Sequence, residues 1–83
     1  MKLTVRYFAS IREALGASES IDAAAGSTVG EVRDALMARG GAHAGALARN
    51  RALRSALNQV LCDESAVVHE GAELAFFPPV TGG

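Results

Sequence analysis

Residues 2–8 alternate polar and apolar side chains, Lys-Leu-Thr-Val-Arg-Tyr-Phe. A period of two puts neighbouring side chains on opposite faces of an extended chain, so this run predicts a strand with Leu3, Val5 and Tyr7 on one face. Residues 9–15 have mild helical character and stop at Gly16, which predicts a short turn or a single helical turn. Residues 19–22 read as a short second strand at a sheet edge, joined by small residues to position 26. At Thr28 the period changes. Thr28 and Glu31 have the spacing of a capping box, and Val29, Val32 and Leu36 follow at helical intervals with Ala35 filling the stripe. Glu31 and Asp34 near the start and Arg39 near the end suit the helix dipole, and Gly40-Gly41 stops the helix.

The pattern is looser beyond position 41. Residues 42–54 are rich in Ala, Arg and Gly and are expected to hold a short helix over 44–50. Residues 55–61 read as one strand kinked near Asn58-Gln59, 63–65 as a turn, 66–68 as a short apolar strand and 73–77 as the final strand. Pro78-Pro79 ends ladder pairing, because neither residue has an N–H. Strands grouped about one central helix predict an α+β fold, a mixed sheet of four to five strands packed on that helix. First and last strands become parallel neighbours through a right-handed crossover, which is the β-grasp arrangement.

With 83 residues, one domain is expected, residues 1–77, followed by an extended, flexible C-terminal tail, residues 78–83. A domain this small has little core to hold it, and a single cysteine forms no internal disulfide. One Cys and two His lack zinc spacing, so no metal is expected and a protein partner becomes the plausible source of added stability. The net charge of −1 gives no reason to expect nucleic acid or an anionic membrane. Arg33, Arg39, Arg49, Arg51 and Arg54 occupy the middle, whereas Asp63, Glu64, Glu70 and Glu73 are the charged side chains after position 62. The acids either meet a basic partner surface or simply solvate turns. No apolar run is long enough to span a membrane and no secretory leader is visible, so a cytoplasmic location is expected.

The ending carries the chemistry. Pro78-Pro79 favours an extended polyproline conformation, Val80 and Thr81 resist helix, and Gly82-Gly83 have no side chains. Six such residues reach roughly 20 Å when extended. Glycines make a chain slim enough for a narrow channel and leave the terminal carbonyl carbon open to attack. The prolines reduce the entropy lost on threading. A frayed, functionless end is the plain alternative. However, residues 76–80 are wholly apolar, and an apolar arm is expected to dock. Phe76 and Phe77 are adjacent on a strand and so point to opposite faces, one into the core and one outward as an interface anchor.

Residues 71–83, Gly-Ala-Glu-Leu-Ala-Phe-Phe-Pro-Pro-Val-Thr-Gly-Gly, closely resemble the ending of the small, sulfur-carrying subunit of molybdopterin synthase. Residues 5–9 with Arg12-Glu13 and Gly16 resemble that family's opening strand and turn, and residues 56–59 resemble its third-strand segment. Residues 38–54 depart from it. The resemblance implies a ubiquitin-like β-grasp fold and a non-catalytic, sulfur-donating subunit of an enzyme complex. It implies that the Gly83 carboxylate is adenylated by an ATP-dependent enzyme of the ubiquitin-activating type. A sulfur donor then converts it to a thiocarboxylate. The tail, Pro78 through Gly82, inserts into the large synthase subunit, where Gly83 gives its sulfur to cyclic pyranopterin monophosphate. Phe76 and Phe77 are the expected partner-binding pair. No cofactor is expected to bind, since ATP is used by the activating enzyme. The resemblance further implies a heterotetramer with two copies of each subunit.

Other residues read as structural. Cys62 is expected as a small apolar filler rather than a persulfide carrier, and His43 and His69 as surface residues. Glu70 and Glu73 read as solvated edges, and Arg49, Arg51 and Arg54 as a solvated basic loop. Three alternatives remain open at this point: a sulfur carrier for thiamine thiazole or nucleoside thiolation, a ubiquitin-like protein modifier joined through Gly83, and a binding module without covalent chemistry.

Overall fold

The alternating run at the start forms β1 (Lys2–Tyr7), with Leu3, Val5 and Tyr7 buried and Lys2, Thr4 and Arg6 exposed. Residue 8 turns the chain into α1 (Ala9–Leu15), a seven-residue helix, longer than the single turn expected. Its one fully buried side chain, Ile11, joins the core. The chain returns along β2 (Ser18–Asp22), antiparallel to β1 with Leu3 opposite Ile21. The computed structural model describes residues 1–79.

The capping box forms as expected. The Thr28 hydroxyl accepts from the Glu31 N–H at 3.2 Å, and the Glu31 carboxylate accepts from the Thr28 N–H at 2.9 Å. These bonds satisfy two donors that the first turn would leave open, and they start α2 (Val29–Met37). Val29, Val32 and Leu36 are buried, but Ala35 is exposed and Arg33 is buried in its stead. Gly40 and Gly41 adopt φ of 74° and 55°, left-handed values that end the helical run without steric cost. The next helix starts at once as α3 (Gly41–Ala46), not over 44–50.

The segment expected as one kinked strand is a hairpin of β3 (Arg54–Leu57) and β4 (Val60–Cys62). Asn58 and Gln59 take φ of 48° and 69°, and two successive left-handed residues reverse the chain where a kink was expected. Residues 66–68 are correspondingly not a strand. Val67 makes one isolated bridge to Thr28, while Val68 is buried in the core. The last strand, β5 (Glu73–Phe77), lies between β1, to which it is parallel, and β3 in the order β2-β1-β5-β3-β4. Leu3, Val5, Tyr7, Leu74 and Phe76 thus share one face of the central strands and pack with Val29, Val32, Leu36 and Leu47. Burial of these side chains, each worth about 2 kcal/mol, is the main favourable term.

Two polar clusters tie the rim of this core together. The buried Arg33 guanidinium donates to the carbonyls of Leu47 (2.8 Å), Ala48 (2.7 Å) and Arg51 (3.2 Å) and to Glu64 (2.7 Å). Arg49 bridges Asp34 and Glu64 and donates to the Gly30 carbonyl. It is exposed, as expected, but ion-paired as well, a strut between α2 and Glu64. Gly30 allows this junction: a Cβ there would sit 3.0 Å from Glu64 Oε1. The second cluster is centred on Glu19. Its carboxylate accepts from Tyr7 (2.8 Å) and Arg39 (2.7 Å) and lies 2.7 Å from His43 Nε2. His43 is accordingly half-buried, contrary to the surface position expected, while His69 is exposed.

Candidate functional site

Ladder pairing stops where the prolines require it. The Phe8 N–H donates to the Phe76 carbonyl at 3.2 Å, and Pro78 and Pro79, with no N–H, follow directly after β5. The chain thus leaves the middle of the sheet at its end, beside the turn from β1 into α1.

Alternation along β5 splits the phenylalanines. Phe76 points inward and is 1% exposed; Phe77 is half-buried on the opposite face. Of the pair expected to bind a partner, only Phe77 is therefore available. Its ring meets Phe8 edge-on, centroids 6.5 Å apart with the planes at 89°. The Arg6 guanidinium sits 5.2 Å from the Phe8 centroid and pairs with Glu73 at 3.5 Å. Between these side chains, Ala56 and Ala75 are register partners on β3 and β5. Two alanines side by side leave the floor low while Phe8, Phe77, Pro78 and Pro79 raise the walls. The result is an open trough of about 520 Å³. Leu61, opposite Ala56 and 65% exposed, extends the apolar surface to the sheet edge.

The described part of the expected site therefore converges: Phe77, Pro78 and Pro79 line one trough. Val80, Thr81, Gly82 and Gly83 lie outside the described residues. Phe8, Arg6, Ala75 and Gln59 were not foreseen as site residues. The alternation that puts Leu3, Val5 and Tyr7 inward already puts Arg6 and Phe8 outward. The parallel β1–β5 pairing was expected as well; what the alternation lacks is the register that sets Phe8 beside Phe77.

The charged clusters lie apart from the trough and serve the frame. Burial alone would raise the Glu19 carboxyl, but hydrogen bonds from His43, Arg39 and Tyr7 outweigh it and hold it at about 2. Burial, with the bond to Glu19, pushes the Tyr7 hydroxyl far above its ordinary range. Glu64 is likewise held low, its burial outweighed by Arg49 and Arg33. Cys62 is half-buried against the core with Ser55 Oγ 3.8 Å from its sulfur, as expected of a filler. Glu70 is exposed and accepts from the Lys2 N–H. Among the described residues no three His, Cys, Asp or Glu side chains gather to hold a metal, and no helix is long and apolar enough to cross a membrane.

A five-stranded mixed sheet with parallel β1 and β5 in its middle, carrying a capped helix on one face, defines a ubiquitin-like β-grasp protein. Within that class the chain belongs to the ThiS family, whose model matches residues 5–83. It is 40% identical over 81 residues to the molybdopterin synthase sulfur carrier subunit of Haemophilus influenzae, covering 98% of this chain and 99% of the relative. Among solved structures it resembles small archaeal modifier protein 1 of Haloferax volcanii, at 27% identity and a TM-score of 0.77 over 95% of this chain and 98% of that one. It also resembles a chain from the complex of subunits 1 and 2 of the molybdopterin-converting factor of Helicobacter pylori, at 26% identity and a TM-score of 0.69, with both chains fully covered.

Proposed function

We propose that this chain is the sulfur carrier of molybdopterin synthesis, with the Gly83 carboxylate as its working group. The observation that carries the reading is the Pro78-Pro79 exit beside the Phe8–Phe77 trough. It presents an apolar docking face at the root of a short arm ending in two glycines. The full-length similarity to a sulfur carrier subunit agrees with this.

A carboxylate is a poor acyl donor, because its charge is delocalised and oxide is a bad leaving group. In the first step a Gly83 carboxylate oxygen attacks the α-phosphorus of ATP and pyrophosphate leaves. Hydrosulfide, the sulfide-level form supplied by a sulfur donor, then attacks the acyl carbon and AMP departs, giving the thiocarboxylate. Its soft, nucleophilic sulfur bonds to a carbon of cyclic pyranopterin monophosphate inside the large synthase subunit, displacing an oxygen there. Water then cleaves the acyl C–S bond, leaving the sulfur on the pterin and a carboxylate on Gly83. The arm from Pro78 to Gly83 contains no side-chain acid, base or cation, so charge stabilisation comes from the partners. The chain itself holds no cofactor in this scheme; the activating enzyme uses the ATP, and the cycle runs in the cytoplasm. The complex of subunits 1 and 2 from H. pylori supports a large-subunit partner, and the apolar trough is the face on which we seat it.

A second reading, attachment of Gly83 to lysines of other proteins, draws on the likeness to small archaeal modifier protein 1. The test uses purified large subunit. Phe77→Ala is expected to keep the melting behaviour and weaken heterocomplex formation by about 2 kcal/mol, roughly thirtyfold in Kd. Turnover of cyclic pyranopterin monophosphate by the thiocarboxylated protein with that subunit supports this pathway. Unchanged binding by the variant and no turnover contradict it.

A further inference from the structure

Among the described residues three non-glycine positions have left-handed backbones: Ala9 (φ 54°), Asn58 (φ 48°) and Gln59 (φ 69°). Ala9 and Gln59 both line the trough that holds Phe8 and Phe77, and Asn58 is the neighbour of one of them. L-residues rarely take this conformation, and its persistence at a site points to use there.

The three are not alike. Asn is the non-glycine residue that best tolerates left-handed φ, and Asn58 also works within the fold. Its N–H donates to the Glu73 carbonyl at 2.8 Å, and its side-chain oxygen accepts from the Glu73 N–H at 3.0 Å, pinning the hairpin to β5. Gln59 is different. It fills the second central position of a two-residue turn, where glycine is preferred because both positions need positive φ. The turn would form more readily without its side chain. That side chain is exposed on the trough, where the two charged lining residues, Arg6 and Glu73, already pair with each other.

We propose that Gln59 is a partner-recognition residue, its carboxamide bonding a main-chain peptide group of the large subunit that covers the trough. The inference rests on the sulfur-carrier reading. A carboxamide offers an N–H donor and a C=O acceptor side by side, which complements a peptide group, and at the rim of an apolar contact such a pair fixes register. The left-handed backbone aims the side chain over the trough; a residue in ordinary β conformation there would not close the hairpin.

The test sets stability against binding. Gln59→Gly is expected to raise the Tm of the free chain by about 4 °C and to weaken binding to purified large subunit about tenfold. Gln59→Ala keeps the strained backbone, so it should give the same loss of affinity without the gain in Tm. Variants that bind as tightly as the wild type overturn the assignment to Gln59 and leave the sulfur-carrier reading standing. Failure of the wild type itself to bind the large subunit overturns both.

Discussion

Replacing Arg33 by Met would remove four hydrogen bonds at once, three of them to carbonyls of the segment after α3 and one to Glu64. The aliphatic stem is preserved, but the carbonyls lose their donors and Glu64 keeps only Arg49. Leaving these buried carbonyls without donors, together with the loss of a half-buried ion pair, costs about 3 kcal/mol. Urea denaturation of Arg33→Met should show that loss, and a change below about 1 kcal/mol would mean that solvent replaces the guanidinium freely. Arg33 also marks where the sequence becomes hard to read. It sits on the helical face between Val32 and Leu36, but a cation there looks like surface unless its partners are known. Those partners are backbone oxygens of a loop that no periodicity places. Thr28 and Glu31 were legible because both halves of the capping box lie within one turn. The opposed directions of Phe76 and Phe77 were legible for the same local reason, while their different fates needed the core.

Among the elements, β1, α2 and β5 could be read because each has one period and a clear stop. The β3–β4 hairpin could not, since its turn is Asn-Gln and lacks the glycine that usually announces two left-handed residues. The helix α3 was displaced because a Gly-Ala-rich segment has almost no apolar stripe; its position follows from Gly40 and Gly41. The edge strand β2 is held by more than its ladder, because Glu19 ties it to β1 through Tyr7 and to the helical layer through Arg39 and His43. This gives a pH dependence with a definite sign. The folded Glu19 carboxyl is held at about 2 against an ordinary 4.5, so its stabilising contribution is complete above pH 4.5 and is lost as pH falls towards 2. Glu64 acts in the same direction. Thermal midpoints measured across this window should fall with acid, and Glu19→Gln should flatten the fall. An unchanged slope would remove Glu19 from the account.

At the scale of the molecule, the sheet was legible in outline: α+β, first and last strands parallel, β2 at an edge. The arm was read as chemistry from Pro-Pro and Gly-Gly, which would act through what they lack, and its last four residues lie outside the described ones. The trough was not legible. It depends on the register of β5 against β1 and β3, which sets Phe8 and Phe77 edge to edge above Ala56 and Ala75, and no local pattern fixes a register between residues so far apart in sequence. On the proposed reading the trough is the docking face at the root of the arm, and the arm brings its last carboxylate to the enzymes that change it. Mass spectrometry of the intact protein, isolated from cells that make molybdopterin, tests this most directly. The account predicts a population heavier by the difference between one sulfur and one oxygen, with the change confined to Gly83. An unmodified carboxylate throughout, even with the activating enzyme and a sulfur donor supplied, would contradict it.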